Sequence, residues 1–169
     1  MSAFTFRALS RDDVPMLHEW LKRPHVRRWW LEPSTIAELE HDYILDTEST
    51  TRAFIAMRDD RPVGFIQSYV VMGSGNGWWE NETDPGARGI DQFLADEAEL
   101  GRHMGRAMIA AFVDELFVDP EVTSVQTDPS PDNERAIRCY RAVGFGKIGV
   151  VDTPDGPALL MRVGRPPGR

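Results

Sequence analysis

Three groups of residues in this 169-residue chain have the types and spacing to do chemistry. The first is Leu100-Gly101-Arg102-His103-Met104-Gly105-Arg106, which follows a strand-like run and opens a helix-like one. A helix N-terminus presents unpaired N–H groups and the positive end of its dipole, a seat for a phosphate or pyrophosphate. Gly101 and Gly105 let an anion approach the backbone closely, and Arg102, His103 and Arg106 bring positive or protonatable groups. On its own the stretch reads equally as an ordinary helix entry with charged surface residues. The second group is Asn133, Ala136 and Tyr140, spaced i, i+3 and i+7, hence on one helix face. A small alanine leaves room for a ligand between an amide and a phenol; the plainer reading is an amphipathic helix with a core tyrosine. The third is acidic. Between Glu80 and Glu99 stand Glu80, Glu82, Asp84, Asp91, Asp96, Glu97 and Glu99 against Arg88 alone, beside Trp78 and Trp79. Clustered carboxylates concentrate cations, tryptophan faces attract them, and a carboxylate can take a proton from a bound ammonium. A solvated acidic loop with one buried tryptophan is the alternative.

Elements must position these groups. Phe4–Leu9 alternates as a strand. Ser10 with Asp12 and Asp13 signals a helix start, and Val14, Leu17, Trp20 and Leu21 carry that helix to about Arg23. Pro24 closes it, and His25–Trp30 is a short basic and aromatic segment. Pro33-Ser34 marks a turn, with Ser34 capping a second helix through Ile36, Leu39, Tyr43 and Ile44. Thr51–Met57 and Pro62–Val71 read as an antiparallel hairpin around Arg58-Asp59-Asp60-Arg61. The stretch Met72–Gly86 is a long loop containing Gly73, Gly75 and Gly77, and loops of that length inside a compact domain are usually functional. A strand over Gly89–Ala95 follows, then a helix over Gly101–Phe117 with Met104, Met108, Ala111, Phe112 and Leu116 as its apolar stripe. A strand over Val122–Thr127, a turn over Asp128–Pro131, a helix over Asp132–Val143 ended by Gly144, and a hairpin of Phe145–Val151 with Ala158–Val163 complete the chain. The expectation is one mixed α/β (α+β) domain over residues 1–169, its central sheet partly antiparallel, with residues 164–169 a Pro/Gly-rich tail expected to fray.

The net charge of −8 argues against nucleic-acid and anionic-membrane partners, which call for a basic surface. The single cysteine, Cys139, excludes an internal disulfide and reads as a small helical core residue. His18, His25, His41 and His103 lack metal-site spacing, so no metal is expected. The N-terminal residues carry no signal-peptide pattern, no apolar run approaches the ~20 residues of a membrane span, and a cytoplasmic protein, monomer or homodimer, is expected.

Taken together, the Gly-containing turn that opens a helix and the pattern N-x-x-A-x-x-x-Y-x-x-x-G-F over Asn133–Phe145 resemble the GNAT N-acetyltransferase superfamily. Gln67–Gln92, Gln126–Asn133 and Thr153–Pro157 resemble, more narrowly, the aminoglycoside 6'-N-acetyltransferases, and the likeness runs from about Phe4 to Met161. The resemblance implies a GNAT domain whose mixed sheet has two splayed parallel strands. It implies acetyl-CoA as cosubstrate, held by Gly101, Arg102, His103, Met104, Gly105 and Arg106, by Phe93, Leu94 and Ala95, and by Asn133 and Ala136. It assigns Asp91 as base, Tyr140 as proton donor to the leaving thiolate, and backbone N–H groups near Phe93–Ala95 as an oxyanion hole. It places Trp30, Tyr43, Gln67, Ser74, Asn76, Trp79, Asp91 and Asp128 around a polycationic aminoglycoside acetylated at its 6'-amine, a reaction that confers resistance. Two positions depart from the pattern: His103 replaces a glycine and Asn76 an aspartate. Asp155 reads as a surface turn residue that the relatives place near the acceptor mouth. The alternatives are a lysine N-acyltransferase of siderophore assembly, which shares the pattern of His25-Val-Arg-Arg-Trp-Trp30, and a non-catalytic module that binds coenzyme A or the antibiotic.

Overall fold

The computed structural model describes residues 3–30 and 34–168; Pro33 of the expected turn lies outside them. Its seven strands form one mixed sheet in the order β1-β2-β3-β4-β5-β7-β6. The chain divides into two compact units, Met1–Gln67 with Gln92–Leu100, and Ser68–Asp91 with Gly101–Arg169.

In the first unit β1 (Phe4–Ala8) pairs antiparallel with β2 (Arg52–Arg58), Phe6 opposite Ala56. Ser10 donates its N–H and hydroxyl to the Asp13 carboxylate at 2.9 and 3.1 Å. Arg7 grips the same carboxylate at 2.7 and 2.9 Å, and this ion pair holds Asp13 below the usual carboxylate range. The entry to α1 (Val14–Leu21) is thereby fixed, and Val14, Leu17 and Trp20 are buried as their spacing requires. Pro24 does more than close α1. It occupies the first turn of α2 (Pro24–Arg27) after an extended Arg23, where its fixed φ suits a helix start, so the basic and aromatic segment begins as a helix. In α3 (Ile36–Glu40) the cap is Thr35, not Ser34. Its hydroxyl accepts from the Glu38 N–H at 3.1 Å and Glu38 returns the bond to the Thr35 N–H at 2.7 Å, a capping box worth about 1 kcal/mol. A π-helical turn, His41–Leu45, follows, closed by the Asp46 N–H on the His41 carbonyl at 2.8 Å. β2 returns into β3 (Arg61–Val70) through Asp59 and Asp60, both left-handed at φ 51° and 59°, a tight turn built without glycine.

The second unit holds most of β4 (Ala87–Leu94), α4 (Met104–Leu116), β5 (Ser124–Thr127), α5 (Glu134–Val143), β6 (Gly146–Thr153) and β7 (Gly156–Gly164). Its strands β5 and β7, and β6 and β7, pair antiparallel. β4 and β5 are parallel, and their ladder consists of Ala87, Arg88 and Gly89 opposite Ser124, Val125 and Gln126. β4 continues five residues past its last pair, which is the splay that the resemblance implied. On α4, Met104, Met108 and Phe112 are buried with Ile109 and Val113; Ala111 and Leu116 of the expected stripe are half-buried. α4 starts three residues later than its periodicity suggests, because Gly101 (φ 75°) and His103 (φ 61°) are left-handed and cannot belong to the helix. Within the Pro/Gly-rich tail, Arg165 is tied to the body of the unit. Arg165 donates to the carbonyls of Phe117 and Val122 at 2.9 and 3.0 Å, and its guanidinium lies 5.3 Å from the Phe117 ring centre.

Candidate active site

In the second unit β3, β4 and the end of β5 bring a phenol, a glycine and two carboxylates together. Gly89 of β4 has no side chain where the Tyr69 ring of β3 lies; a Cβ there would overlap the ring. The Tyr69 oxygen accepts the indole N–H of Trp79 at 3.2 Å and faces the Gln126 side chain. Gln126 is 2% exposed, accepts from Arg162 at 3.3 Å, and its amide nitrogen has no hydrogen bond of normal geometry. Burial first, then the charges of Asp91 and Asp128, hold the Tyr69 phenol well above its ordinary range. Asp128, just after β5, is pushed up to about 8 by burial, then by Asp91 and Asp155. At neutral pH it therefore keeps a proton that a nearby cation would discharge. Asp155 is exposed in its turn, as expected, yet its charge bears on Asp128. The same turn meets the glycine loop, with Pro154 3.5 Å from where a Gly77 Cβ would sit.

That loop is built rather than slack. Gly73, Gly75, Asn76, Gly77 and Trp79 are all left-handed, and the Trp78 N–H closes on the Gly75 carbonyl at 2.9 Å. Ser74 donates its hydroxyl to the Val71 carbonyl at 2.7 Å, so toward a ligand it has only acceptor capacity. The acidic run divides by role. Glu82 accepts the N–H groups of Thr83 and Asp84, Asp84 binds Thr123 and the Gly86 N–H, and Asp96 caps a turn at Ala98. Those carboxylates hold backbone. Of the run, Asp91 is the one whose charge bears on both Tyr69 and Asp128. Among the described residues no group of three or more His, Cys, Asp and Glu is arranged to hold a metal ion.

The expected acetyl-CoA residues of this unit also take definite positions. Gly101, Arg102 and His103 form the exposed turn before α4, whose first turn carries no acid. Gly101 is left-handed with open space around it, and Arg102 and Arg106 are exposed, so the turn fits an anionic group of that cosubstrate. Asn133 caps α5, its Oδ1 accepting the Ala136 N–H at 3.3 Å; its amide NH₂ is the part left to face a ligand. Tyr140 is 5% exposed and packs edge-on against Phe145 at 5.4 Å. Cys139 is half-buried, and burial raises its thiol.

In the first unit Trp30, Tyr43, Phe65 and Phe93 form one aromatic cluster. Trp30 meets Phe65 and Phe93 edge-on at 5.7 and 5.4 Å, Tyr43 meets Phe65 at 5.7 Å, and Phe65 stacks on Phe93 at 5.5 Å. Gln67 is half-buried on β3. At the end of β4 one assignment changes. The Ala95 N–H is occupied by the Val63 carbonyl at 2.9 Å, so it is not an oxyanion donor. Strand alternation turns the Leu94 N–H to the opposite side. The Leu94 and Ala95 carbonyls are held by His25 at 2.8 Å and Arg23 at 2.5 Å. Sequence reasoning missed Tyr69, His25 and Arg23. A glycine inside a strand signals a close neighbour at Gly89, but its partner is not local.

A glycine turn ahead of a helix, a parallel pair that parts, and an Asn-capped helix with a buried tyrosine define an acyltransferase fold. Residues 10–153 match the acetyltransferase (GNAT) domain family, and the chain belongs to it. The chain is 51% identical over 164 residues to the aminoglycoside N(6')-acetyltransferase type 1 of Klebsiella pneumoniae, covering 93% of this chain and 81% of that protein. Among solved structures it resembles AAC(6')-Ib in complex with paromomycin and acetyl-CoA, at 48% identity and a TM-score of 0.93 over 96% of this chain and 94% of that one. It resembles AAC(6')-Ib with coenzyme A and kanamycin at 48% identity and a TM-score of 0.92, over 96% and 95%.

Proposed function

We propose that the chain transfers the acetyl group of acetyl-CoA to the 6'-amine of aminoglycosides and so confers resistance to them. The observation that carries this reading is the carboxylate cluster of Asp91, Asp128 and Asp155 beside Trp79 and Tyr69, in a chain 51% identical to an aminoglycoside N(6')-acetyltransferase. Several ammonium groups on one ligand call for several carboxylates, and flat sugar rings for aromatic walls. A neutral sugar or a single-amine acceptor gives no reason to bury Asp128 near other acids.

In the proposed reaction Asp91 takes a proton from the bound ammonium, directly or through one water. The freed amine nitrogen bonds to the thioester carbon. The Leu94 N–H stabilises negative charge on the carbonyl oxygen, the carbon–sulfur bond breaks, Tyr140 protonates the departing sulfur, and the second proton that the nitrogen loses on becoming an amide restores the Tyr140 phenol through water. The products are the amide and coenzyme A thiol, and Asp91 returns its proton to water. Gly101–Arg106, Asn133 and Ala136 bind the cosubstrate, and Trp30, Tyr43, Gln67, Ser74, Asn76, Trp79 and Asp128 contact the acceptor. Among the described residues no helix is long and apolar enough to cross a membrane, and we place the reaction in the cytoplasm. A thiol-release assay with kanamycin against a lysine hydroxamate tests the reading. Release with kanamycin alone supports it, the reverse preference supports the siderophore reading, and no release with either leaves a binding module.

A further inference from the structure

We propose that Tyr69 is a positioning residue for the acceptor: its phenol oxygen, placed over Gly89, fixes the Trp79 indole. The inference rests on the aminoglycoside reading and gives Tyr69 a role that reading did not assign.

The argument begins at Gly89. Without a side chain there, the Tyr69 ring reaches over the β4 backbone, and even a methyl group would displace it. The ring places its oxygen 3.2 Å from the Trp79 indole nitrogen, which can only donate. Asp91 and Asp128 are the acids whose charge bears on the same phenol.

Trp79 needs such a tie. It is left-handed at φ 49°, a conformation that a bulky residue holds only when its surroundings over-determine it. Backbone contacts within the loop order Ser74 to Trp78; the indole side chain is ordered by Tyr69. Tyr69 thus couples the aromatic wall of the proposed acceptor site to its carboxylates.

Tyr69→Phe keeps the ring over Gly89 and removes only the oxygen. The KM for kanamycin should rise about tenfold, while kcat and the acetyl-CoA KM stay within about twofold, a split that a general loss of packing would not give. Trp79→Phe should do the same, and the double variant should be no worse than the worse single, since both remove one interaction. A kanamycin KM within twofold of the unmutated enzyme for Tyr69→Phe, or effects of the two changes that multiply, overturns the proposal. A measurement on the unmutated protein does not depend on how the variants fold: the Trp79 indole proton should exchange slowly with solvent, and exchange as fast as that of exposed Trp29 also overturns it. An unmutated enzyme that releases no thiol with any aminoglycoside sinks the function and the inference together. A normal unmutated enzyme with a Tyr69→Phe variant that matches it sinks the inference alone.

Discussion

His25 of α2 donates its Nε2 hydrogen to the carbonyl of Leu94 at 2.8 Å, 69 residues further along the chain. A carbonyl can only accept, so this nitrogen carries the proton. Arg23, itself braced by Glu19 at 2.8 Å, holds the next carbonyl, that of Ala95. The last carbonyl of β4 and the one after it are therefore both held. The stretch from Arg23 to His25 is thus a clamp on the strand end just beyond the N–H proposed for the oxyanion.

His25→Ala removes half of that clamp. A buried carbonyl losing its donor costs about 1–1.5 kcal/mol, a fall in Tm of about 3–5 °C for a chain of this size. The mobile strand end should lower kcat about tenfold and leave the kanamycin KM nearly unchanged. Thermal melts and steady-state kinetics check both, and a kcat equal to that of the unmutated enzyme would show that the clamp is structural only.

Asp128 sets a pH dependence of stability. Its carboxyl titrates near its ordinary value when unfolded and at about 8 when folded. Between about pH 4 and about pH 8 the folded state therefore binds the extra proton. The contribution is complete below about pH 4 and is lost as pH rises through about 8, with a slope of at most about 1.4 kcal/mol per pH unit. In urea unfolding at pH 5 and pH 8, Asp128→Asn should narrow the gap between the two midpoints. The same gap in both proteins would contradict the assignment.

His103 stands left-handed at φ 61° where the family pattern has glycine. That conformation costs a side-chain-bearing residue about 1–2 kcal/mol. His103→Gly should keep or raise Tm and leave the acetyl-CoA KM within about threefold, whereas the β-branched His103→Val should lower Tm by several degrees. Melting curves of the pair decide the matter; a valine variant as stable as the glycine one is the adverse result.

Much of this was legible in the sequence because it is local. The strands Arg52–Arg58 and Arg61–Val70, the stripe Met104, Met108 and Phe112, and the Asn133 cap with Gly144 behind α5 all follow from residues within a few positions of each other. The errors were of two kinds. Some were choices between adjacent candidates, such as Thr35 over Ser34, where only the bond to Glu38 decides. Others depended on distant partners: Tyr69 over Gly89, His25 on Leu94, and Val63 taking the Ala95 N–H. The acidic run shows the difference most plainly. Charge counting treats Glu82, Asp84 and Asp91 alike, but the first two bind backbone and loop while Asp91 acts on Tyr69 and Asp128.

The central claim is that the acetyl group passes to one amine of a polycationic acceptor at the Asp91 carboxylate. Its most direct test is the position of the acetyl group on kanamycin after turnover, read by NMR of the product alongside thiol released. The account predicts a single product acetylated on the 6'-nitrogen, one thiol per acetyl group, and a rate at least a hundredfold lower for Asp91→Asn. Acetylation at another nitrogen, a mixture of products, or undiminished turnover by Asp91→Asn would contradict it.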